Sequence, residues 1–414
     1  MARARRARDG SSDEHKKHPR QPGTASLRNR AGGLLRRFGF LPPALNCAAA
    51  PMAIQTYSGP DLRWFAALIG LMLLRQYLNL SPLLVLLLLL LGVCLCSGRS
   101  PASSESFSPV YRPGTCAGLP WGVAAVQGRR PYMEDMFVAA PLRGAGATGV
   151  ANVAAAEGVG LTHVFAVFDG HGGKRAAQWA HDNLLSNLLA KLAAKAGEAS
   201  GGDGGGGASN GGSSEDDAAA LETASVDAFL QTDAEFLRRA TQHHIPDGST
   251  AVCALLQKAG ADGATDVLVA NLGDSRAALV KRDGAARPIS FDHKPNRPDE
   301  EARVRAAGGQ VIFAGCWRVQ GDLAVSRAFG DCHLKRFGVS ARPELHRWRL
   351  ERDDAYLVLA SDGLWDVVDE VQCGKVLLRA KDPLEGARAL ERLATDRGSM
   401  DNITVLVVAL DALG

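Results

Sequence analysis

Several apolar, β-branched runs in this sequence end in aspartate. Phe165-Ala-Val-Phe leads into Asp169-Gly170-His171-Gly172-Gly173. Val267-Leu-Val-Ala-Asn-Leu leads into Gly273-Asp274-Ser275-Arg276, and Leu357-Val-Leu-Ala into Ser361-Asp362-Gly363. Further acids stand at Glu134-Asp135 and Asp401-Asn402. Carboxylates at strand ends, beside glycines that let the backbone turn, are placed to converge on one edge of a sheet. A cluster of hard oxygen ligands without Cys or His partners selects Mg²⁺ or Mn²⁺ rather than zinc. A single Asp-Gly at a strand end is ordinarily a turn. Several together point to a metal-dependent hydrolase, although spacing alone leaves both readings open.

The elements that must position these residues alternate as in a mixed α/β domain. Strands are expected at His163–Phe168, Thr250–Leu256, Val267–Asn271, Tyr356–Ala360 and Ile403–Leu410, which are short and rich in β-branched residues. Helical patterns occupy Ala176–Lys195, Leu221–Arg239, Pro298–Ala307, Val371–Ala380 and Pro383–Thr395, with proline opening two of them. Between the first two helices a stretch dominated by Gly, Ser and Asp, near 197–217, reads as a flexible insertion in a surface loop of one domain.

Ahead of this domain the composition changes. Residues 1–60 carry many arginines against few acids and cannot bury a core, so a disordered basic region is expected, with a transit peptide as the competing reading. Within 61–98, the stretch Gln76–Gly98 has no charge and Leu83–Leu91 is almost pure leucine. A helix needs about 20 apolar residues to cross a bilayer. The reading is a single-pass membrane protein with its catalytic domain in the cytosol. A hairpin that adds Trp64–Leu74, a signal-peptide core, and organelle targeting are the alternatives. Residues 99–120, rich in Ser and Pro, read as a linker to a domain at 121–414.

The net charge of +3 is too small for a dedicated nucleic-acid binder, so no nucleic-acid partner is expected. The eight cysteines are scattered and contain no C-x-x-C pair, which argues against a disulfide framework and a zinc site. Cys373 and Arg379 have the C-x₅-R spacing of cysteine-dependent phosphatases. The residues between them read as a helical turn, not as a loop of amides around an anion. Asn402-Ile-Thr404 matches a glycosylation sequon, but the adjacent Asp401 favours a buried site.

Eight segments, in order, resemble the metal-dependent protein phosphatase family, often called type 2C. They are Gly128-Arg-Arg-Pro-Tyr-Met-Glu-Asp135, Phe165–Gly173, Gly248-Ser-Thr-Ala-Val252, Asn271–Arg276, Asp292-His-Lys-Pro295, Gly321–Asp331, Leu359–Asp366 and Ser399–Thr404. The resemblance runs from about Gly122 to Leu410, and Trp317-Arg-Val is most similar to plant-type members. It implies an α+β fold, a central sandwich of two antiparallel β-sheets flanked by helices on both sides. The implied enzyme is a monomeric protein serine/threonine phosphatase acting on phosphorylated proteins by attack of a metal-bridging hydroxide. Two Mg²⁺ or Mn²⁺ ions are implied, with a weaker third. Asp169 resembles the bridging carboxylate and the Gly170 carbonyl a further ligand. Asp362 and Asp401 complete the second ion's shell, Glu134 and Asp135 hold the first directly or through water, and Asp274 serves the third. Arg130 stands where an arginine grips the substrate phosphate, and His171 is the candidate general acid. Members regulated by a plant hormone receptor carry a tryptophan where this chain has Ala314, so that regulation is not implied. The rival class is a non-catalytic, membrane-anchored phosphoprotein-binding pseudophosphatase, which loss of a metal carboxylate would favour.

Overall fold

The computed structural model describes residues 107–116, 118–142, 152–200, 214–259 and 263–413. Two antiparallel sheets carry the described domain. In chain order their strands are β1 (Val110–Cys116), β2 (Leu119–Val126), β3 (Met136–Pro141), β4 (Leu161–Phe168), β5 (Ala251–Ala259), β6 (Ala264–Leu272), β7 (Arg276–Lys281), β8 (Ala286–Pro288), β9 (Glu344–Arg349), β10 (Asp354–Ala360) and β11 (Ile403–Ala409). One six-stranded sheet has the order β1-β2-β11-β10-β7-β8, and one five-stranded sheet the order β9-β6-β5-β4-β3. The helices are α1 (Val153–Gly158), α2 (Arg175–Ser200), α3 (Ser214–His243), α4 (Pro298–Ala306), α5 (Asp362–Trp365), α6 (Glu370–Leu377) and α7 (Pro383–Asp396).

Period-2 alternation explains the layers. Along β4, Phe165 and Val167 face the core between the sheets, while Val164, Ala166 and Phe168 pack under α2 and α3. Along β11, Leu406 and Val408 face inward, while Val405 and Val407 meet Leu377 and Leu390 of α6 and α7. Successive strand side chains point to opposite faces, so strands apolar on both faces must be covered twice. The result is the expected sandwich of two antiparallel sheets with helices on both sides. Gly122 on β2 has a particular role, because a Cβ there would run into the backbone of Leu384 on α7.

Two boundaries differ from the sequence reading. The linker expected over 99–120 reaches into β1, whose Pro113 and Gly114 resemble linker composition; β1 is the outermost strand of its sheet, where proline is tolerated. Of the insertion expected near 197–217, residues 201–213 lie outside the described residues, while α2 continues to Ser200 and α3 begins at Ser214. Glu215, Asp216 and Asp217 in the first turn of α3 complement the positive end of the helix dipole.

Among the described residues no helix is long and apolar enough to cross a membrane. This corrects the expected single-pass membrane localisation. The uncharged run 76–98 on which that expectation rested, and the basic region 1–60, lie outside the described residues.

Candidate functional site

Strand register brings the chemistry together. In one sheet, Phe168 pairs with Met136, Val167 with Val252, and Ala251 with Leu272. In the other, Ala360 pairs with both Val405 and Arg276, and Ile403 with Val126. The strand ends carrying Asp169, Asp274, Asp362 and Asp401, and the 127–135 loop, therefore emerge at one end of the sandwich. There Asp169, Asp274 and Asp362 each offer a carboxylate oxygen within 4.8 Å of the others.

Nothing local neutralises this charge fully. Burial, then Asp362 and Asp135, push the Asp169 carboxyl well above the usual range. Burial, then Asp274 and Asp366, do the same to Asp362. Asp135 is pushed up to about 7, by burial first and by Asp401 and Glu134 in addition. Its Oδ2 accepts a hydrogen bond from Ser361 Oγ at 3.0 Å, while Oδ1 is buried and has no hydrogen-bond partner within 3.5 Å among the described residues. Burial also raises the half-buried Glu134. Convergent, desolvated oxygen donors with negative charge left over fit a hard divalent cation.

The loop of residues 127–134 is held by Asn402. Its Oδ1 accepts from Glu134 N at 2.9 Å, and its Nδ2 donates to Gln127 O and Tyr132 O at 2.7 and 3.0 Å. These bonds occupy the sequon's asparagine. Arg130 is half-exposed on this loop, and one Nη donates to Asp401 Oδ2 at 2.5 Å. Asp401 Oδ1 accepts from Asn402 N at 2.7 Å. Asp401 thus lies beside the aspartate trio but spends both oxygens on neighbours, which its spacing did not reveal.

The Gly170 N-terminal to His171 sits where a Cβ would press on Glu134 O. His171 Nε2 lies 2.8 Å from Asp331 Oδ2. Burial alone would lower the imidazole's pKa, but Asp331 outweighs it and the His171 pKa is raised. Lys294 Nζ donates to Asp274 Oδ2 at 2.6 Å. The neighbouring His293 accepts from Gly273 N at Nδ1 (3.1 Å), so its Nε2 carries the proton that meets Glu344 Oε2 at 3.0 Å. Asp331 and Lys294 were visible only as members of quoted motifs, with no partner indicated. Cys373 is buried in α6 and its thiol is pushed up to about 12 by burial, the opposite of the exposed, lowered thiol of a cysteine nucleophile.

The family model described as protein phosphatase 2C matches residues 122–403. The probable protein phosphatase 2C 59 of Arabidopsis thaliana is 41% identical over 288 residues, covering 70% of this chain and 78% of that protein. The probable protein phosphatase 2C 59 of Oryza sativa subsp. japonica is 38% identical over 354 residues, covering 81% and 94%. Among solved structures, the serine-threonine phosphatase 2C from Toxoplasma gondii superposes with a TM-score of 0.56 at 25% identity, covering 73% of this chain and 99% of that one.

Proposed function

Because the chain belongs to the protein phosphatase 2C family and is a protein serine/threonine phosphatase, we propose that its aspartate cluster holds two divalent cations, Mg²⁺ or Mn²⁺, for hydrolysis of phosphoserine and phosphothreonine in proteins. The observation that carries this reading is the convergence of Asp169, Asp274 and Asp362 to within 4.8 Å at the sandwich end. Asp169, the Gly170 carbonyl, Asp362 and Asp401 would hold the pair, with Glu134 and Asp135 directly or through water, and Asp274 a weaker third ion. Bound there, such cations lower the pKa of water and neutralise phosphoryl oxygens. A carboxylate oxygen has two lone pairs, so Asp401 can keep Arg130 while offering a lone pair to a cation. The Arg130 fork binds two phosphate oxygens. His171 delivers a proton to the departing serine or threonine oxygen.

The two roles predict different kinetics. A serine alkoxide needs a proton in the transition state, whereas an aryl phosphate leaves as a stabilised phenolate. Loss of a general acid costs about 10²–10⁴-fold. His171→Ala is expected to slow a phosphoserine peptide by that order and p-nitrophenyl phosphate far less. Arg130→Ala removes a contact made to both substrates and is expected to lower kcat/KM for each by similar factors. Steady-state kinetics at saturating Mn²⁺ check both. Equal losses on the two substrates in His171→Ala would reject its acid role.

Lys294 carries a further expectation. Its ammonium is the cation bonded to buried Asp274, and a charged hydrogen bond of this kind contributes roughly 1.5–3 kcal/mol. Lys294→Met leaves Asp274 facing Asp169 and Asp362 uncompensated. The thermal midpoint is expected to drop in chelator and to recover in Mn²⁺, read by differential scanning fluorimetry. Equal drops under both conditions would mean that Lys294 acts only in packing.

A further inference from the structure

Asp331 has no part in the chemistry above, yet the backbone around it is built for one contact. It follows the short strand Phe329–Gly330, which pairs with Gly248–Ser249, which in turn pairs with Gly170–His171. Asp331 and His171 therefore meet across Gly248, 160 residues apart in the chain. A Cβ on Gly248 would collide with both Asp331 Oδ2 and His171 Nε2. Asp331 is 3% exposed and has φ 47°, a left-handed conformation uncommon for a residue with a side chain. Asp331 N donates to Asp247 O at 3.1 Å, and Gly330 N donates to buried Asp233 Oδ1 at 2.8 Å. The carboxylate is thus fixed from behind, and a glycine clears the path to the ring.

A carboxylate only accepts hydrogen bonds, so the His171 Nε2 carries the hydrogen. That leaves Nδ1 as the ring nitrogen for the leaving group, which in the doubly protonated imidazolium carries the second hydrogen and gives it up, returning the ring to its neutral form with Nε2 still on Asp331. An imidazole otherwise turns about a broad, roughly two-fold χ2, and a buried acceptor at 2.8 Å removes that freedom. We propose that Asp331 is the positioning residue of this phosphatase: it anchors Nε2 of His171 so that Nδ1 meets the departing oxygen. The inference rests on the reading of His171 as general acid.

A double-mutant cycle tests it, with kcat and KM measured on a phosphoserine peptide and on p-nitrophenyl phosphate at saturating Mn²⁺. Asp331→Gly removes the carboxylate, and glycine adopts positive φ without strain. Asp331→Asn keeps an acceptor oxygen in a residue that tolerates this conformation, and it carries the comparison if the glycine variant does not fold. Asp331→Gly is expected to lower kcat on the peptide by about 10²–10³-fold, within the span a general acid contributes. KM and the aryl phosphate rate should change little, and Asp331→Asn should fall between Asp331→Gly and wild type. In the His171→Ala background, Asp331→Gly should cost nothing further. An equal cost in both backgrounds, or equal losses on both substrates, overturns the positioning role. A leaving-group-selective His171→Ala beside a non-selective Asp331→Gly would sink this inference alone. A non-selective His171→Ala would sink the acid reading and this inference with it.

Discussion

Asp169→Asn is expected to lower phosphate release from a phosphoserine peptide by at least about 10³-fold, since metal-supplied charge stabilisation amounts to several kcal/mol and each ~1.4 kcal/mol is a factor of ten. The same substitution should not weaken the metal-free fold. Asp169 belongs to three carboxylates within 4.8 Å of one another, and burial and Asp362 raise its pKa. Its bonds to Thr250 run through its backbone, N to Oγ1 at 3.3 Å and O from Thr250 N at 2.9 Å, and survive the exchange. A neutral isostere relieves repulsion, so the thermal midpoint in chelator should stay or rise while the Mn²⁺-induced gain disappears. Calorimetric Mn²⁺ titration and melting with and without chelator read both. A variant that binds Mn²⁺ and turns over like wild type would remove Asp169 from the metal site.

Much of this site is written locally. The run Phe165–Phe168 has to be a strand covered on both faces, and the next residue is then a strand-end aspartate; the same holds at Asp362. Register does the rest, setting Phe168 opposite Met136, Ala251 opposite Leu272 and Ala360 opposite Arg276, and strands apolar on both faces do not reveal it in their sequence. What the sequence hides is contact across long separations. The meeting of His171 with Asp331 depends on a missing side chain at Gly248 in a third segment. The capture of Asp401 by Arg130 depends on Asn402 folding the loop of 127–134. The Pro-Gly pair in β1 read as linker because edge strands share that composition, and the acidic start of α3 was absorbed into a low-complexity stretch. The membrane localisation drew on residues outside the described domain, and no described helix supports it.

The largest expected stability effect lies away from the aspartate cluster. Glu300 on α4 is fully buried and accepts from Arg303, from Arg327 and from the Ser326 hydroxyl. Burial alone would raise its pKa, but the two guanidiniums and the hydroxyl outweigh it and hold the carboxyl well below the usual range. Ser326 N donates to His293 O at 2.9 Å, and Arg327 Nη1 donates to Arg342 O at 3.0 Å. The network therefore fixes the segments that carry Lys294 and Asp331. Glu300→Gln removes the negative charge that Arg303 and Arg327 share, and removing one partner of a buried pair costs about 3–5 kcal/mol. For a domain of this size that is a fall in thermal midpoint on the order of 10 °C. The pH dependence has a definite sign. A depressed carboxyl contributes stability above its unfolded value of about 4.3, and that contribution is lost as pH falls below it toward the folded value. Wild type should thus lose stability between roughly pH 4.5 and 2 more steeply than Glu300→Gln. Parallel denaturation profiles over that range, or a midpoint unchanged by the substitution, would show that the network contributes little.

The measurement that bears most directly on the account is phosphate release from a phosphoserine peptide by the full chain, first stripped with chelator and then titrated with Mg²⁺ or Mn²⁺. The expected result is negligible release from the stripped protein, saturable restoration by either cation, and no restoration in Asp169→Asn or Asp362→Asn. Full-rate release from the stripped protein would contradict the metal-dependent mechanism, and a chain that binds the cations but never releases phosphate would be a phosphoprotein-binding pseudophosphatase instead.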